Sequence, residues 1–386
     1  MKNLLLLIIA FMLISCGQKS NEFTLSGNIE GLQQGDTLFL STYSIPEWKE
    51  EHVDTIIVKQ ADEFSFKKEI PYTTFFLFSH VPVNIPPVAT HSLGSTLLIA
   101  PGDKVQLKGS IHYIAALEKS GGFYQDSLIS RHSNMENALN VEQINAYQDI
   151  VKAEETKQKD TIQKYWAIYS AINSPKELED LEKYIAEEVQ DNEYSAYLYL
   201  KKFSGITATQ LEEQLAKYTP EVKTSYMGKR LADMLATLKN IEVGNTPSDF
   251  TVVDMDNNKR SLADYRGKYL LIYYWEAFCP GTTWVQLRLP DLYERFHEKG
   301  FEVLGFTPYN FFTKHTDLKE DEEYQMLFNH PWANVLTDAP ENSFMKKEFY
   351  FFGTPILMLV SPDGTTLIRG YSEINKVKKI LEENLQ

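Results

Sequence analysis

Residues 268–300, KYLLIYYWEAFCPGTTWVQLRLPDLYERFHEKG, contain the change of pattern that decides the fold of the C-terminal region. The first part is a short apolar run typical of a buried strand, and the second has the spacing of a long amphipathic helix. Cys279 lies between them. At a helix N-terminus, unpaired backbone N–H groups and the positive end of the helix dipole favour a thiolate. Pro280 suits the first helical turn. The sequence therefore predicts a lowered pKa at Cys279.

The same alternation continues on both sides of this stretch. The apolar segments FTVVD, FEVLGF, PILMLV and TLIRGY are separated by the helical segments ENSFMKKEF and NKVKKILEENL. Strands that alternate with helices are typical of an α/β domain. We expect residues 243–386 to form such a domain around a mixed central sheet.

The preceding sequence has two further patterns. Residues 22–115 contain short apolar or alternating segments separated by turn signals, which predicts a β-sandwich-like domain. Residues 134–240 are rich in Glu, Lys, Gln, Ala and Leu at helical spacing, which predicts a helical connector. The expected fold class is therefore multidomain α+β, with a sandwich-like domain, a helical connector and a C-terminal α/β domain.

Composition narrows the possible functions. The 386-residue chain has 38 Lys+Arg and 53 Asp+Glu, a net charge of −15, which argues against a nucleic-acid partner. Two cysteines, Cys16 and Cys279, exclude a disulfide-stapled scaffold and an all-cysteine metal site. The three histidines after residue 243 (His297, His315 and His330) show no metal-ligand spacing. Glycine-rich cofactor loops and the Gly-x-Ser-x-Gly elbow are also missing from the sequence. We expect no cofactor and no metal.

The N-terminus has the pattern of a targeting signal. Lys2 precedes the apolar run LLLLIIAFMLI at residues 4–14, which is too short to span a bilayer as a mature helix. The run ends at LISCG, which resembles the bacterial lipobox, in which the cysteine is diacylated and becomes the new N-terminus. The resemblance implies that residues 1–16 form a lipoprotein signal and that Cys16 is the lipidation site, anchoring the remaining chain to a membrane.

The C-terminal motifs resemble the thioredoxin superfamily, specifically membrane-anchored periplasmic thiol-disulfide oxidoreductases and domains of the AhpC-TSA type. The family's Trp-x-x-x-Cys-x-x-Cys pattern matches WEAFCPGT at 275–282. GNTPSDF at 244–250 and LADYRGK at 262–268 are similar to the entry into such domains. GTP at 353–355, before ILMLV and SPDG, is similar to the cis-proline strand and hairpin. The N-terminal pattern, which ends in APGDKV at 100–105, is similar to a domain of unknown function that precedes thioredoxin-like domains in Gram-negative lipoproteins.

The resemblance implies where substrates would bind and react. It assigns the chemistry to Cys279, with Thr282 one helical turn away and Pro355 opposite the sulfur. The residues expected to line the substrate groove are Trp275, Phe278, Pro280 and Thr354. Glu276 is a weaker candidate for a base beside Cys279, since an exposed loop glutamate is the simpler interpretation.

Three departures from the family pattern bear on activity. Thr282 occupies the position of the second cysteine, and Tyr273 that of a carboxylate buried in many thioredoxins. Leu287 stands where a proline usually kinks the helix, and the nearest proline is Pro290. A resolving thiol and a proton acceptor are therefore both missing from their usual positions.

The sequence leaves three functional interpretations. Cys279 could exchange disulfides as a lone thiol, with protein or small-molecule thiols and disulfides as partners. Alternatively, a redox-inactive groove could bind or assemble a partner. A peroxiredoxin is less favoured, because alignment on Gly300 places Thr282 at the peroxidatic position, and a hydroxyl has no peroxidatic chemistry. The expected location is the cell envelope, lipid-anchored on the periplasmic face or cell surface, with the outer membrane favoured.

Overall fold

The computed structural model describes residues 21–45, 49–80, 94–155, 164, 168, 171–201, 206–276, 279–308 and 330–386. The predicted leader, residues 1–16 with Cys16, lies outside the described residues. The chain divides into two compact units. One comprises Met1–Tyr199 and Thr219–Met227, and the other comprises Leu200–Tyr218 and Gly228–Gln386.

The first unit contains two four-stranded sheets. One has the order β4-β1-β7-β8, and the other β3-β2-β5-β6. Strand β1 pairs antiparallel with β4 and parallel with β7. The strands are β1 (Glu22–Glu30), β2 (Thr37–Ser44), β3 (Lys49–Ile57), β4 (Glu63–Glu69), β5 (Thr74–Ser79), β6 (Gly94–Ile99), β7 (Lys104–Ser110) and β8 (Glu118–Ser120).

Aromatic side chains join the two sheets face to face. The rings of Phe23 on β1 and Phe76 on β5 have centroids 5.4 Å apart. Phe64 on β4 stacks on Phe78 on β5 at 5.1 Å. Each such pair buries large apolar surface, and aromatic contacts add to that gain. The predicted sandwich-like arrangement is confirmed.

The central part of the chain is helical, as its spacing predicts. Two short 3-10 helices, Ile111–Ala116 and Gly122–Gln125, precede it. No helix within the described ranges combines the length and apolar character needed to cross a membrane. The helices with bounds inside the described ranges are α1 (Ser127–Glu155), α2 (Lys176–Glu188), α3 (Glu193–Lys201), α4 (Ala208–Lys217), α5 (Pro220–Thr224) and α6 (Tyr226–Ile241).

The second unit is built on a mixed five-stranded sheet. Its strand order is β13-β12-β11-β14-β15, with β11 parallel to β12 and antiparallel to β14. A two-stranded ribbon of β9 and β10 precedes it. The strands are β9 (Thr251–Val253), β10 (Lys259–Ser261), β11 (Tyr269–Tyr274), β12 (Phe301–Thr307), β13 (Ala333–Leu336), β14 (Ile356–Val360) and β15 (Thr366–Tyr371). The predicted mixed α/β sheet is confirmed.

The long helix expected after Cys279 is divided in two. The structure has α7 (Pro280–Gln286) and α8 (Leu289–Phe296), followed by the 3-10 turn His297–Lys299. The break falls at Arg288 (φ −117°), and Pro290 lies in the first turn of α8. Pro290 has no N–H to donate to the carbonyl of Gln286, so the first helix cannot continue through it. Among the residues that the structure describes, two further α-helices follow, α9 (Phe344–Glu348) and α10 (Ile374–Asn384).

One face of the central sheet is covered by α7, α8 and α10. Strands β11 and β14 contribute Leu271, Tyr273, Leu357 and Leu359 to this core. The helices contribute Val285, Leu289, Leu292, Phe296, Ile374, Val377 and Leu381. Burial of this apolar surface holds α7, and with it Cys279, against the end of β11.

Candidate functional site

Cys279 lies between the end of β11 and the first residue of α7. It is the N-cap of α7, with an extended backbone (φ −74°, ψ 123°). The thiol is half-buried, and within the described residues Cys279 is a free cysteine. Its Sγ donates to the carbonyl oxygen of Thr354 over 3.4 Å. The sulfur is therefore accessible to a reactant and held by a residue 75 positions later in the chain.

The surroundings of Cys279 favour its ionised form. Burial, the largest single effect, raises the pKa of the thiol. The backbone amides of Thr282 and Gly281, with the hydroxyls of Thr354 and Thr282, act in the opposite direction, and the pKa is lowered overall. Hydrogen bonds to a thiolate stabilise it because the charge is otherwise poorly solvated. The pKa direction agrees with the prediction from the helix N-terminus.

The first turn of α7 packs closely against the end of the sheet. The Thr354–Pro355 peptide bond is cis. A Cβ added to Gly281 would lie 2.8 Å from Cδ of Pro355 and 2.8 Å from the hydroxyl of Tyr371. Both distances are too short for a real side chain, so only glycine permits this approach. Cys279 is thereby held near Pro355.

Tyr371, at the end of β15, is a member of the site that the sequence did not indicate. Its side chain is half-exposed, and its hydroxyl lies beside Gly281 in the first turn of α7, close to Cys279. Burial raises the pKa of Tyr371, and the nearby Cys279 raises it further. A neutral phenol beside the sulfur can donate to a thiolate. No local motif marks this residue, because only the packing of β15 against α7 brings it there.

Thr282 and Tyr273 are buried neighbours of Cys279. Both are fully buried, and neither hydroxyl makes a well-formed hydrogen bond within the described part of the chain. They nevertheless lie near each other and near the sulfur. Burial raises the pKa of Tyr273 well above its ordinary value and the charge of Cys279 raises it further, whereas the Thr282 hydroxyl lowers it. Tyr273 is therefore neutral, and cannot replace the carboxylate that many thioredoxins have at this position.

Glu276 differs from its expected role as an exposed loop residue. Its side chain is mostly buried and accepts a hydrogen bond from the Thr354 hydroxyl at 3.5 Å. Burial is the main cause that raises its pKa. Lys346 and Thr354 act against that rise, and Asp338 adds to it. The expectation was wrong because Glu276 packs against Thr354, a residue distant in sequence.

The structure places the residues expected to line the groove in different surroundings from one another. Thr354 is half-buried and contacts both Cys279 and Glu276. Trp275 is fully buried and belongs to the core. Its indole N–H donates to Oδ1 of Asn334 at 3.2 Å, so Trp275 supports the loop from below and does not form a groove surface. Pro280 is the first residue of α7. Phe278 lies outside the described residues.

The described ranges show no candidate metal site. These ranges contain no cluster of three His, Cys, Asp or Glu side chains arranged to hold a metal ion. His297 stacks on Tyr293 with ring centroids 4.5 Å apart, and His330 stacks on Trp332 at 4.3 Å. His315 lies outside the described residues.

Comparison with known proteins places these residues in a family context. Residues 243–350 match the AhpC/TSA family. The chain is 31% identical over 74 residues to a chloroplastic peroxiredoxin Q of Gentiana triflora, covering 19% of this chain and 34% of the relative. It is 27% identical over 67 residues to the thiol-disulfide oxidoreductase ResA of Bacillus thuringiensis subsp. konkukian (strain 97-27), covering 17% of this chain and 39% of the relative. The chain thus spans little more than a third of either relative.

Among solved structures, a thioredoxin-like protein from Bacteroides caccae ATCC 43185 is 17% identical to this chain. The match covers 59% of this chain and 85% of that protein, with a TM-score of 0.36. The five-stranded mixed sheet, the cysteine at the start of α7 and the facing cis-proline agree with the family match. These features lie in the C-terminal part of this chain, whose residues 243–350 match the AhpC/TSA family.

Proposed function

We propose that this protein carries out thiol-disulfide exchange through the single thiol of Cys279. The observation that carries the proposal is the environment of the sulfur. Cys279 is half-buried beside cis-Pro355, and amide and hydroxyl groups that stabilise a thiolate surround it. A thiolate is the nucleophile in disulfide exchange, and a lowered pKa increases its fraction near neutral pH.

The reaction follows from the presence of one thiol. The Cys279 thiolate attacks one sulfur of a substrate disulfide, a new S–S bond forms, and the other substrate sulfur leaves as a thiolate that takes up a proton. A second, external thiolate then attacks the mixed disulfide and restores Cys279. Thr282 cannot perform this release, because a hydroxyl does not exchange with disulfides. We expect protein or small-molecule thiols as the external partner.

A direct test compares the wild-type protein with Cys279→Ser. With oxidised glutathione, the wild type should gain one glutathionyl group at Cys279 in intact-mass spectra, and the variant none. The rate of iodoacetamide alkylation at Cys279 should reach half its maximum at a pH below that of an ordinary thiol, about 8.5. The half-maximum shifts to lower pH because a lowered pKa keeps the Cys279 thiolate populated at lower pH. A half-maximum at or above the ordinary value, or no adduct, would contradict the proposal.

A second candidate function is the binding of a partner without turnover. The observation that favours it is Thr282, which is fully buried in place of a resolving cysteine. In this case Cys279→Ser leaves partner binding unchanged and no mixed disulfide forms. A peroxidase reaction is not proposed, because the position aligned with the peroxidatic sulfur holds the Thr282 hydroxyl.

We further propose that Cys16 is lipidated and anchors the protein in the cell envelope, with residues 22–115, 134–240 and 243–386 as its domains. Support comes from the apolar run at residues 4–14 that ends at LISCG. Expression in a Gram-negative host should yield a membrane-associated protein with a mass increase at residue 16. Cys16→Ser should abolish both properties, and an unmodified wild-type protein that retains residues 1–16 would contradict the assignment.

A further inference from the structure

The proposed exchange reaction moves one proton, which has to be accepted from Cys279 and later returned to the leaving sulfur. A thiol must lose its proton before it attacks, and an alkyl thiolate that leaves must gain one. The carboxylate position of many thioredoxins holds Tyr273, which is fully buried and neutral. A phenol of this kind cannot accept the thiol proton. Another acidic group near Cys279 is therefore the candidate to hold this proton.

Glu276 is a carboxyl group that shares the neighbour Thr354 with Cys279. The Thr354 hydroxyl donates to Oε2 of Glu276 over 3.5 Å, and the Cys279 thiol donates to the carbonyl of the same Thr354 over 3.4 Å. The Thr354 hydroxyl also stabilises the thiolate form of Cys279. One hydroxyl thus serves both acidic groups. Since it has a single proton to donate, it can serve only one of them at a time.

We propose that Glu276 is a positioning residue for proton transfer at Cys279, acting through the hydroxyl of Thr354. This inference rests on the proposed exchange function. In the resting protein, Cys279 carries its proton and the Thr354 hydroxyl donates to the Glu276 carboxylate. In the reactive form, the hydroxyl donates to the thiolate, and the proton is on Glu276.

The exchange step then balances without another reagent. The Cys279 thiol turns from the Thr354 carbonyl to the Thr354 hydroxyl and gives its proton to that hydroxyl oxygen, as the hydroxyl passes its own proton to the Glu276 carboxylate. The thiolate attacks the substrate disulfide, one S–S bond forms and one breaks, and the second substrate sulfur leaves as a thiolate. The proton returns from Glu276 through Thr354 to this sulfur. Glu276 is again a carboxylate, and the products are the mixed disulfide and a free thiol.

The surroundings of Glu276 suit a group that gains and loses a proton. Burial disfavours its charged form, and Asp338 does so as well, whereas Lys346 and the Thr354 hydroxyl favour it. Lys346 also forms an ion pair with Asp338. The positive charge of Lys346 is therefore shared between the carboxylates of Asp338 and Glu276. Tyr274, fully buried behind the loop, stays neutral because burial raises its pKa and Glu276 and Asp338 raise it further. On the Cys279 side the facing groups are Tyr273, Thr282 and Tyr371.

The test uses two disulfides whose leaving groups differ in basicity. With dithiobis(nitrobenzoate), the leaving aromatic thiolate is stable and needs no proton. With oxidised glutathione, the leaving alkyl thiolate needs one. We expect Glu276→Gln to slow mixed-disulfide formation with oxidised glutathione about tenfold or more, as for loss of a general acid-base group. It should slow the aromatic reaction by a smaller factor, because that reaction loses only the proton transfer from Cys279. Glu294→Gln, on the exposed face of α8, is the matched control and should change neither.

Two further measurements separate proton transfer from a structural role. The pH profile of the glutathione reaction should show two coupled titrations in the wild type and one in Glu276→Gln. Thr354→Ser keeps the hydroxyl and should retain the wild-type difference between the two disulfides, whereas Thr354→Val should not. Equal slowing of both reactions by Glu276→Gln, or no slowing of either, would overturn the inference. Failure of wild-type Cys279 to react with either disulfide would instead overturn the proposed function.

Discussion

Thr282→Cys is expected to shorten the lifetime of the mixed disulfide at Cys279 by at least about two orders of magnitude. Positions three apart in a helix are neighbours, so a thiol at position 282 would attack the Cys279 sulfur and release the substrate. A well-oriented intramolecular group has an effective concentration far above that of a millimolar external thiol. The measurement is the decay of the glutathionyl adduct by intact-mass spectrometry with no added thiol.

The substitution should be tolerated by the fold. Thr282 is fully buried, and its hydroxyl makes no well-formed hydrogen bond within the described residues, so a sulfhydryl of similar size leaves no buried partner unsatisfied. Thr251→Cys, at an exposed position on β9, adds a thiol elsewhere and is the matched control. Adduct lifetimes that are the same in Thr282→Cys and Thr251→Cys would show that position 282 does not face the sulfur.

Trp275→Ala is expected to lower the free energy of unfolding of the C-terminal part of the chain by about 3–5 kcal/mol, the range for truncation of a large buried aromatic side chain. Trp275 is fully buried, stacks near Tyr273 at 6.4 Å, and donates to Asn334. Its removal would leave a cavity and an unpaired Oδ1 on Asn334. Because the Cys279 loop begins at this residue, Cys279 should also lose its lowered pKa. Calorimetry of the full chain measures the stability, and alkylation against pH measures the thiol.

The chain contains a control of the same residue type. Trp284 lies on α7, is 45% exposed, and stacks against the guanidinium of Arg288 at 3.1 Å from the ring centroid. Exposed substitutions of this kind usually cost little, so Trp284→Ala should change stability by less than about 1 kcal/mol. A Trp275→Ala variant no less stable than Trp284→Ala would contradict the assignment of Trp275 to the core.

The sequence alone determined the features that depend on neighbouring residues. An apolar run followed by helical spacing defines β11 and the start of α7, and it places Cys279 at their junction, where its environment lowers the pKa. The alternating segments likewise predicted both the N-terminal sheets and the mixed C-terminal sheet. These signals are readable because hydrogen bonding and amphipathic periodicity act over a few residues.

Only the tertiary structure decided which residues surround the sulfur. Thr354 contacts Cys279, which is 75 positions away in the sequence, and Glu276, which is 78 positions away. Tyr371, at the end of β15, also lies close to Cys279. The same packing places Trp275 in the core and makes Glu276 a mostly buried group. Contacts of this kind arise when distant strands and helices bury their apolar faces together. Which residues make these contacts depends on how the whole domain packs, so a local sequence pattern does not predict them.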